Sequence, residues 1–552
     1  MELPYEHDRE RLASINWGRR RLEEWLTIQP TNFFIDDRGF QRSLEFLLGE
    51  EAYRPLAARL YRFGEVVAKT VDPLVRRANE PENLPYLERF DGIGRRIENV
   101  VFPDAYHEAG RHIYGSGVMA VLAEPGQNLA SLALFYLSAM NGEAGHNCPL
   151  ACTAGVIKVL QNVADEDLRE RYLPRFLETD YASRFHGAQF LTEVQGGSDV
   201  GANATYATRL DTDSDVWLLN GEKWFCSNVT ADVALVTARV PAQGDGTRGL
   251  GMFLVPRYLE DGSLNGVHIR RLKDKLGTRS MASAELEFQD AVAYLVGDAR
   301  AGFKNMMNFV INPSRMYNAL ACCGNARRAY VVARSYARTR QAFGRPLIHF
   351  PLIQQTLVEM RSDSAAMLAG SLRLAKLWDE VETGKAAPAM AQVLRLGLNL
   401  NKFRTAMLAH DVINKGIEVL GGNGAIESFS VLPRLLRDNV VYENWEGPHN
   451  VLLAQASRDM RRYLVHQPFC DYLREMLRAQ TQERLRAEGL AALEQIEREL
   501  SDVLLMDETS ASIFFRALME QLIDLFYLAC LGLEGMWSSL VKQDHSKRRL
   551  AE

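Results

Sequence analysis

The chain has 552 residues, too many for one ordinary hydrophobic core, so several domains are expected, one of them large. Hydrophobic residues make up 47% and charged residues 24%, which leaves no room for long disordered or collagen-like tracts. A formal net charge of -6 gives no global pull toward phosphate backbones or anionic lipid, so a nucleic-acid role would need a local basic patch.

In chain order, residues 1–20 mix Glu2, Glu6, Asp8, Arg9 and Glu10 among few apolar side chains. That is not the apolar core of a secretory signal, and a cytoplasmic location is expected. From residue 1 to about 179 the pattern is helical, as in the stretches 44–71 and 129–152, and it predicts an all-α N-terminal domain over 1–180. The runs 129–140 and 525–533 are apolar but shorter than the about 20 residues a membrane span needs, so no such span is predicted.

Near Asp180 the composition shifts. Runs at 216–220, 232–240, 250–255, 267–272 and 284–295 are rich in β-branched and alternating apolar residues, with Gly, Asp and Asn between them. They predict a middle β-domain over 181–296, with Asn220-Gly221 as a tight type I′ hairpin turn. After Gly302 a 3.6-residue period returns through 326–341, 352–381, 387–420 and 446–464, predicting a helical bundle over 297–464. Gly344 and Pro346 are expected to end the first of these helices, and Gly421, Gly422 and Gly424 the third. The remainder, 465–552, reads as a helical extension with a Glu/Arg-rich part (483–499) and an apolar part (513–533). No internal repeat or low-complexity region stands out.

Seven cysteines include the neighbours Cys322 and Cys323 and the pair Cys148 and Cys152, with no CxxC or Cys/His zinc spacing. Reduced, mostly buried thiols and no metal site are expected. No GxGxxG stands between a strand and a helix, so a Rossmann unit is not indicated. Residues 189–200 read QFLTEVQGGSDV. By themselves, Gly196 to Asp199 form a turn whose backbone N–H groups can approach a ligand, with hydroxyls at Thr192 and Ser198, or simply a surface loop. The further segments that stand out are GEKWFCSN (221–228), RTRQAFG (338–344), EVLGGNG (418–424) and YENWEGPHN (442–450).

TEVQGGSDV resembles the TExxxGSD signature of the acyl-CoA dehydrogenase family, and GEKWFCSN resembles the hairpin that follows it there. The resemblance implies an α+β fold: an N-terminal helical domain, a middle β-barrel domain and a C-terminal four-helix bundle, here with an extra C-terminal helical domain. It implies FAD, with Gln189, Leu191, Thr192, Ser198, Phe225 and Ser227 lining it, although Gln189 stands where many relatives carry an aromatic. RTRQAFG resembles the family's ERxxFG stretch, which assigns Arg340 and Phe343 to the FAD of a neighbouring subunit and so implies a homodimer or homotetramer. A guanidinium fork suits a pyrophosphate. EVLGGNG resembles QxxGGxG, assigning Glu418, Gly421 and Gly422 to the adenosine side, with Glu418 in place of Gln and Pro351 in place of another Gln.

YENWEGPHN resembles the family's YEG loop. The match makes Glu446, directly before Gly447, the base for the α-proton of an acyl-CoA thioester, with hydride passing to flavin N5, and places Asn450 near the cofactor. Glu443 is the nearest competitor. Relatives that carry the base on the first bundle helix have it at the position of Ser314. Arg315 is assigned support of the loop or of the base, with a structural ion pair as the competing explanation. Pro448 and His449 depart from the small hydroxyl residues usual after EG, and a packed role for His449 is the common case for a lone histidine.

Residues 271–290, WF after Lys223 and PLIQ at 351–354 resemble the AidB-like branch, which carries a C-terminal helical extension. The expected activity is α,β-dehydrogenation of an acyl-CoA to trans-2-enoyl-CoA in fatty acid metabolism, with an electron-transferring flavoprotein or another acceptor as partner. Two alternatives are an AidB-like stress-response or DNA-associated FAD protein and an acyl-CoA oxidase using oxygen. Nucleic-acid binding is not expected, because acidic residues outnumber basic ones in the extension and its dense basic cluster is Lys547, Arg548 and Arg549.

Overall fold

The computed structural model describes residues 16–535 apart from 143, 212–214 and 241–242. The cluster at Lys547, Arg548 and Arg549 and most of the acidic N-terminal stretch lie outside the described residues.

The N-terminal part contains α1 (Trp17–Thr27), α2 (Arg38–Val66), a π turn at Val67–Val71 and α3 (Asp72–Ala78). A hairpin of β1 (Tyr86–Phe90) and β2 (Arg96–Val101) follows, then α4 (Asp104–Gly115), α5 (Asn128–Ala139), α6 (Ala144–Asn162) and α7 (Glu166–Leu177). The hairpin corrects the all-α expectation for 1–180. Asp91 closes its turn by accepting the backbone N–H groups of Ile93 and Arg95, and Val100 packs into the β-domain core. The hairpin owes its place to that long-range packing, which strands of five and six residues cannot announce locally. The helical stretch 129–152 is broken into two helices at Gly142, which turns at φ 62, where a Cβ would meet Leu435 at 2.5 Å.

The β-domain has β3 (Gly187–Phe190), β4 (Tyr206–Arg209), β5 (Val216–Ser227), β6 (Val233–Arg239), β7 (Leu250–Pro256), β8 (Val267–Leu272) and β9 (Ser283–Leu295). Neighbours run β3-β6-β4-β5-β9-β7, β7 pairs back onto β6, and β8 hangs on β9, so five strands close a ring with its own apolar core. Asn220-Gly221 is not a hairpin turn. β5 runs straight through it, with a register shift against β9 between Leu219 and Gly221. Gly221 is at φ 139 and a Cβ there would stand 2.7 Å from Thr205, so the position admits only glycine, and Asn220 exchanges hydrogen bonds with Asp290.

The bundle begins with α8 (Gly302–Met306) and a π turn at Met307–Ile311, and continues as α9 (Asn312–Thr339). The first long bundle helix therefore starts already at Asn312, because Pro313 sits in its first turn, where a missing N–H is harmless. It ends at Thr339, before Gly344. A two-residue ladder, β10 (Gln341–Ala342) with β11 (Arg345–Pro346), carries Phe343 and Gly344 at its tip, both at positive φ. Then come α10 (Pro351–Glu382), α11 (Met390–Leu420), α12 (Leu432–Asn444) and α13 (His449–Tyr463). The extension is α14 (His466–Arg478), α15 (Glu483–Leu505) and α16 (Glu508–Leu533). One continuous apolar core joins the N-terminal helices, the bundle and the extension, and includes Trp25, Tyr136, Phe403 and Phe526.

Candidate active site

Four elements meet at Glu446. It lies in the short connection between α12 and α13, at φ 58, a left-handed conformation that a side chain adopts only under constraint. Gln189 of β3 donates from Nε2 to its Oε1 at 3.0 Å, and Ser314 of α9 donates to the same oxygen at 3.0 Å. Arg315 donates from Nε to the Glu446 backbone carbonyl at 3.0 Å, from Nη2 to Gln455 at 2.9 Å, and from Nη1 to Asn399. The guanidinium thus supports the loop through its backbone.

Two residues to which sequence reasoning gave no part in the site complete the setting. Lys402 of α11, fully buried, donates to the carbonyls of Glu443 and Gly447 at 2.8 Å each, one on either side of Glu446. Cys152 of α6 is close enough to interact electrostatically with Glu446. Desolvation pushes the Glu446 carboxyl above the ordinary carboxylate range, opposed by Arg315, Ser314, Lys402 and Gln189. Burial brings the Lys402 ammonium down to about 8 and Arg315 down to about 10. A carboxylate that resists ionisation, set among cations that still hold its charge, is equipped to take a proton from a weak carbon acid.

The competitor Glu443 faces the other way. Its carboxylate is held by His410 at 2.7 Å and stands 3.5 Å from His449 Nε2, and although burial alone would raise it, the two histidines bring it below the ordinary value. His449 also packs its ring edge-on to Phe403 at 5.5 Å. Asn450 is engaged by Arg516 of α16, Nη2 to Oδ1 at 2.7 Å.

The loop after β3 is held by an ion pair invisible to motif reading. Glu193 and Lys223 are both fully buried, 2.7 Å apart, and Glu193 also accepts the backbone N–H groups of Ala204 and Thr205. Lys223 reaches the Leu191 carbonyl at 3.1 Å, and the Thr192 carbonyl accepts the Trp224 N–H at 2.9 Å, which ties the two segments together. Ser198 is exposed and Phe225 is 55% exposed. Ser227 lies 3.3 Å from Ser283, oxygen to oxygen, and Lys273 stands 3.5 Å over the Trp224 ring.

A flavin ring needs a flat apolar wall and a few fixed polar atoms. The residues fit it: Phe225 offers an open aromatic face, and the buried Gln189 Oε1 lacks a hydrogen-bond partner among the described protein groups. Arg340, Phe343, Glu418, Gly421 and Gly422 gather elsewhere. Phe343 is 96% exposed, Glu418 and both glycines are exposed, and Asn423 ties their turn to Tyr336 near the end of α9 at 3.1 Å. Arg315 and Arg340 stand at opposite ends of α9, roughly 37 Å apart at the rise of an α-helix.

Comparison with known proteins agrees with this architecture. Residues 27–183 match the model for the adaptive response protein AidB N-terminal domain, 188–291 the acyl-CoA dehydrogenase middle domain and 300–460 the acyl-CoA dehydrogenase C-terminal domain. The chain is 34% identical to acyl-CoA dehydrogenase family member 11 of Caenorhabditis elegans, over 77% of this chain and 70% of that protein. It is also 34% identical to AidB of Escherichia coli, over 69% of this chain and 70% of AidB. The crystal structure of Caenorhabditis elegans ACDH-11 in complex with C11-CoA superposes with a TM-score of 0.84 at 30% identity, covering 95% of this chain and 90% of that one. The chain belongs to the acyl-CoA dehydrogenase family of flavin-dependent oxidoreductases and carries an AidB-type N-terminal domain.

Proposed function

We propose that this protein is an FAD-dependent acyl-CoA dehydrogenase that removes the α and β hydrogens of an acyl-CoA thioester to give a trans-2-enoyl-CoA. The observation that carries the reading is Glu446, a desolvated carboxylate with one oxygen tied to Gln189 and Ser314 and the other left for a proton. Bound FAD would supply the hydride acceptor. Gln189, Leu191, Thr192, Ser198, Phe225 and Ser227 would hold its ring and ribityl side. Glu446 takes the α-proton, and its backbone N–H is available to the thioester oxygen, where negative charge develops. Arg315 and Lys402 hold the loop and favour the ionised base. The C11-CoA complex of the Caenorhabditis elegans relative supports an acyl-CoA as ligand.

The roughly 37 Å along α9 exceeds the reach of a dinucleotide whose ring lies at Glu446. Arg340, Phe343, Glu418, Gly421 and Gly422 would therefore serve the cofactor of a second copy, which makes the working unit at least a homodimer. In this reading 1–180, 181–296 and 297–464 form the catalytic core and 465–552 an appendix. No helix among the described residues is long and apolar enough to cross a membrane. Seven free cysteines suit a reducing compartment, and we place the protein in the cytoplasm, acting in fatty acid metabolism with an electron-transferring flavoprotein as acceptor.

The AidB-type N-terminal match favours one second reading, a stress-response flavoprotein with weak dehydrogenase activity. DNA association has little support in the extension, where Arg474, Arg484 and Arg486 are each paired with a carboxylate. Anaerobic titration with a panel of acyl-CoAs tests the reading. Bleaching of the flavin absorbance is expected with at least one chain length. Absence of bleaching with all of them overturns the dehydrogenase, and peroxide formation in air without another acceptor would make it an oxidase.

A further inference from the structure

The extension approaches the active-site loop by two routes, one turn of α11 and the start of α13. On one side of that turn Tyr527 of α16 donates to Asn401 at 2.8 Å, and Arg404 forms a two-pronged pair with Asp524, at 2.8 and 2.7 Å. Arg516 lies over the Phe403 ring at 5.5 Å. Lys402, within the same turn, points to the other side and binds the carbonyls that flank Glu446. Arg516 also reaches Asn450, in the first turn of α13, immediately beyond the loop. Asn401 contacts Met316 Sδ at 3.9 Å, next to Ser314 and Arg315 on α9.

The geometry points to α16 as a brace of the active-site loop, with Lys402 and Arg516 as positioning residues for Glu446. This rests on the reading of Glu446 as the base. A left-handed glutamate persists only where its surroundings over-determine it, and both ends of this loop are fixed by groups that α16 holds in place. Without α16 the turn of α11 would lose three side-chain anchors, and the Lys402 ammonium would lose the rigid backbone that aims it. The first turn of α13 would be free to fray. The charged and titratable groups facing Glu446 are Arg315 from α9, Lys402 from α11 and Cys152 from α6, while Glu443 of α12 turns away to His410 and to His449 at the start of α13.

The test uses the full chain with FAD and the substitutions Arg516→Met, Tyr527→Phe and Lys402→Met, with Arg484→Ala, an exposed pair on α15, as control. Hydrogen–deuterium exchange of a peptide spanning 440–452 is read first. About fivefold faster exchange is expected in Arg516→Met and Tyr527→Phe, with β5 and the control unchanged. The rate of flavin reduction by an acyl-CoA should fall about fivefold with KM nearly constant, as for a group that acts on the transition state through the base. Lys402→Met should in addition move the acid limb of the reduction rate to higher pH, since removing a cation raises the carboxyl. Wild-type exchange in the loop of both Arg516→Met and Tyr527→Phe, even with lowered thermal stability, would reduce α16 to packing and overturn the brace. If Lys402→Met does not fold, those two variants decide. If no acyl-CoA reduces the wild-type flavin, the dehydrogenase reading fails while the exchange measurement still judges the brace.

Discussion

Gln189 and Glu446, at the end of a β-strand and in a turn between two helices, share a hydrogen bond of 3.0 Å from amide nitrogen to carboxylate oxygen. Ser314 donates to the same oxygen, so two neutral donors stabilise the ionised form of the Glu446 carboxyl. In Gln189→Leu and Ser314→Ala that support is removed and the carboxyl rises further. The acid limb of the flavin-reduction rate should then shift to higher pH, most in the double variant. Stopped-flow reduction between pH 5 and pH 9 measures it, and an unmoved profile in the double variant would refute the assignment.

Glu446→Gln keeps the size and hydrogen bonding of the side chain but abolishes its basicity. FAD content and ligand binding are expected to remain, while reduction of the flavin by acyl-CoA falls by roughly 10²–10⁴-fold. Near-normal reduction would move the base elsewhere.

Lys223 and Glu193 form a buried pair that holds the 191–205 loop. Lys223→Met leaves a buried carboxylate without its cation, and a loss of about 3–5 kcal/mol is expected in denaturant unfolding, together with reduced flavin retention. A change inside the error of the unfolding curve would show that the loop does not depend on the pair.

Burial holds His186 neutral, bringing it from the ordinary 6.5 down to about 3, with Arg184 adding to the effect. The unfolded chain therefore takes up a proton near pH 6.5 that the folded chain refuses until about pH 3. Stability is expected to fall as pH drops through that window, by at most about 1.4 kcal/mol per pH unit from this residue. His186→Gln should flatten the dependence of the unfolding midpoint on pH between 6.5 and 4. An equally steep dependence would place the acid sensitivity in other groups.

The sequence by itself determined the fold class, because helical and strand periods switch near residues 180 and 302 and the local turn motifs mark their junctions. It also marked Glu446, through the likeness of YENWEGPHN to the family's YEG loop. The β1–β2 hairpin escaped it because that hairpin depends on distant packing, and Asn220-Gly221 misled it because a bulge and a tight turn both call for a glycine, although here only Gly221 of the pair is at positive φ. Lys402, Lys223 and the Arg516–Asn450 contact were decided only by the tertiary structure. A lysine on a helix reads as solvated until burial strips its water, and what it then does depends on carbonyls that the chain brings beside it from far along its length.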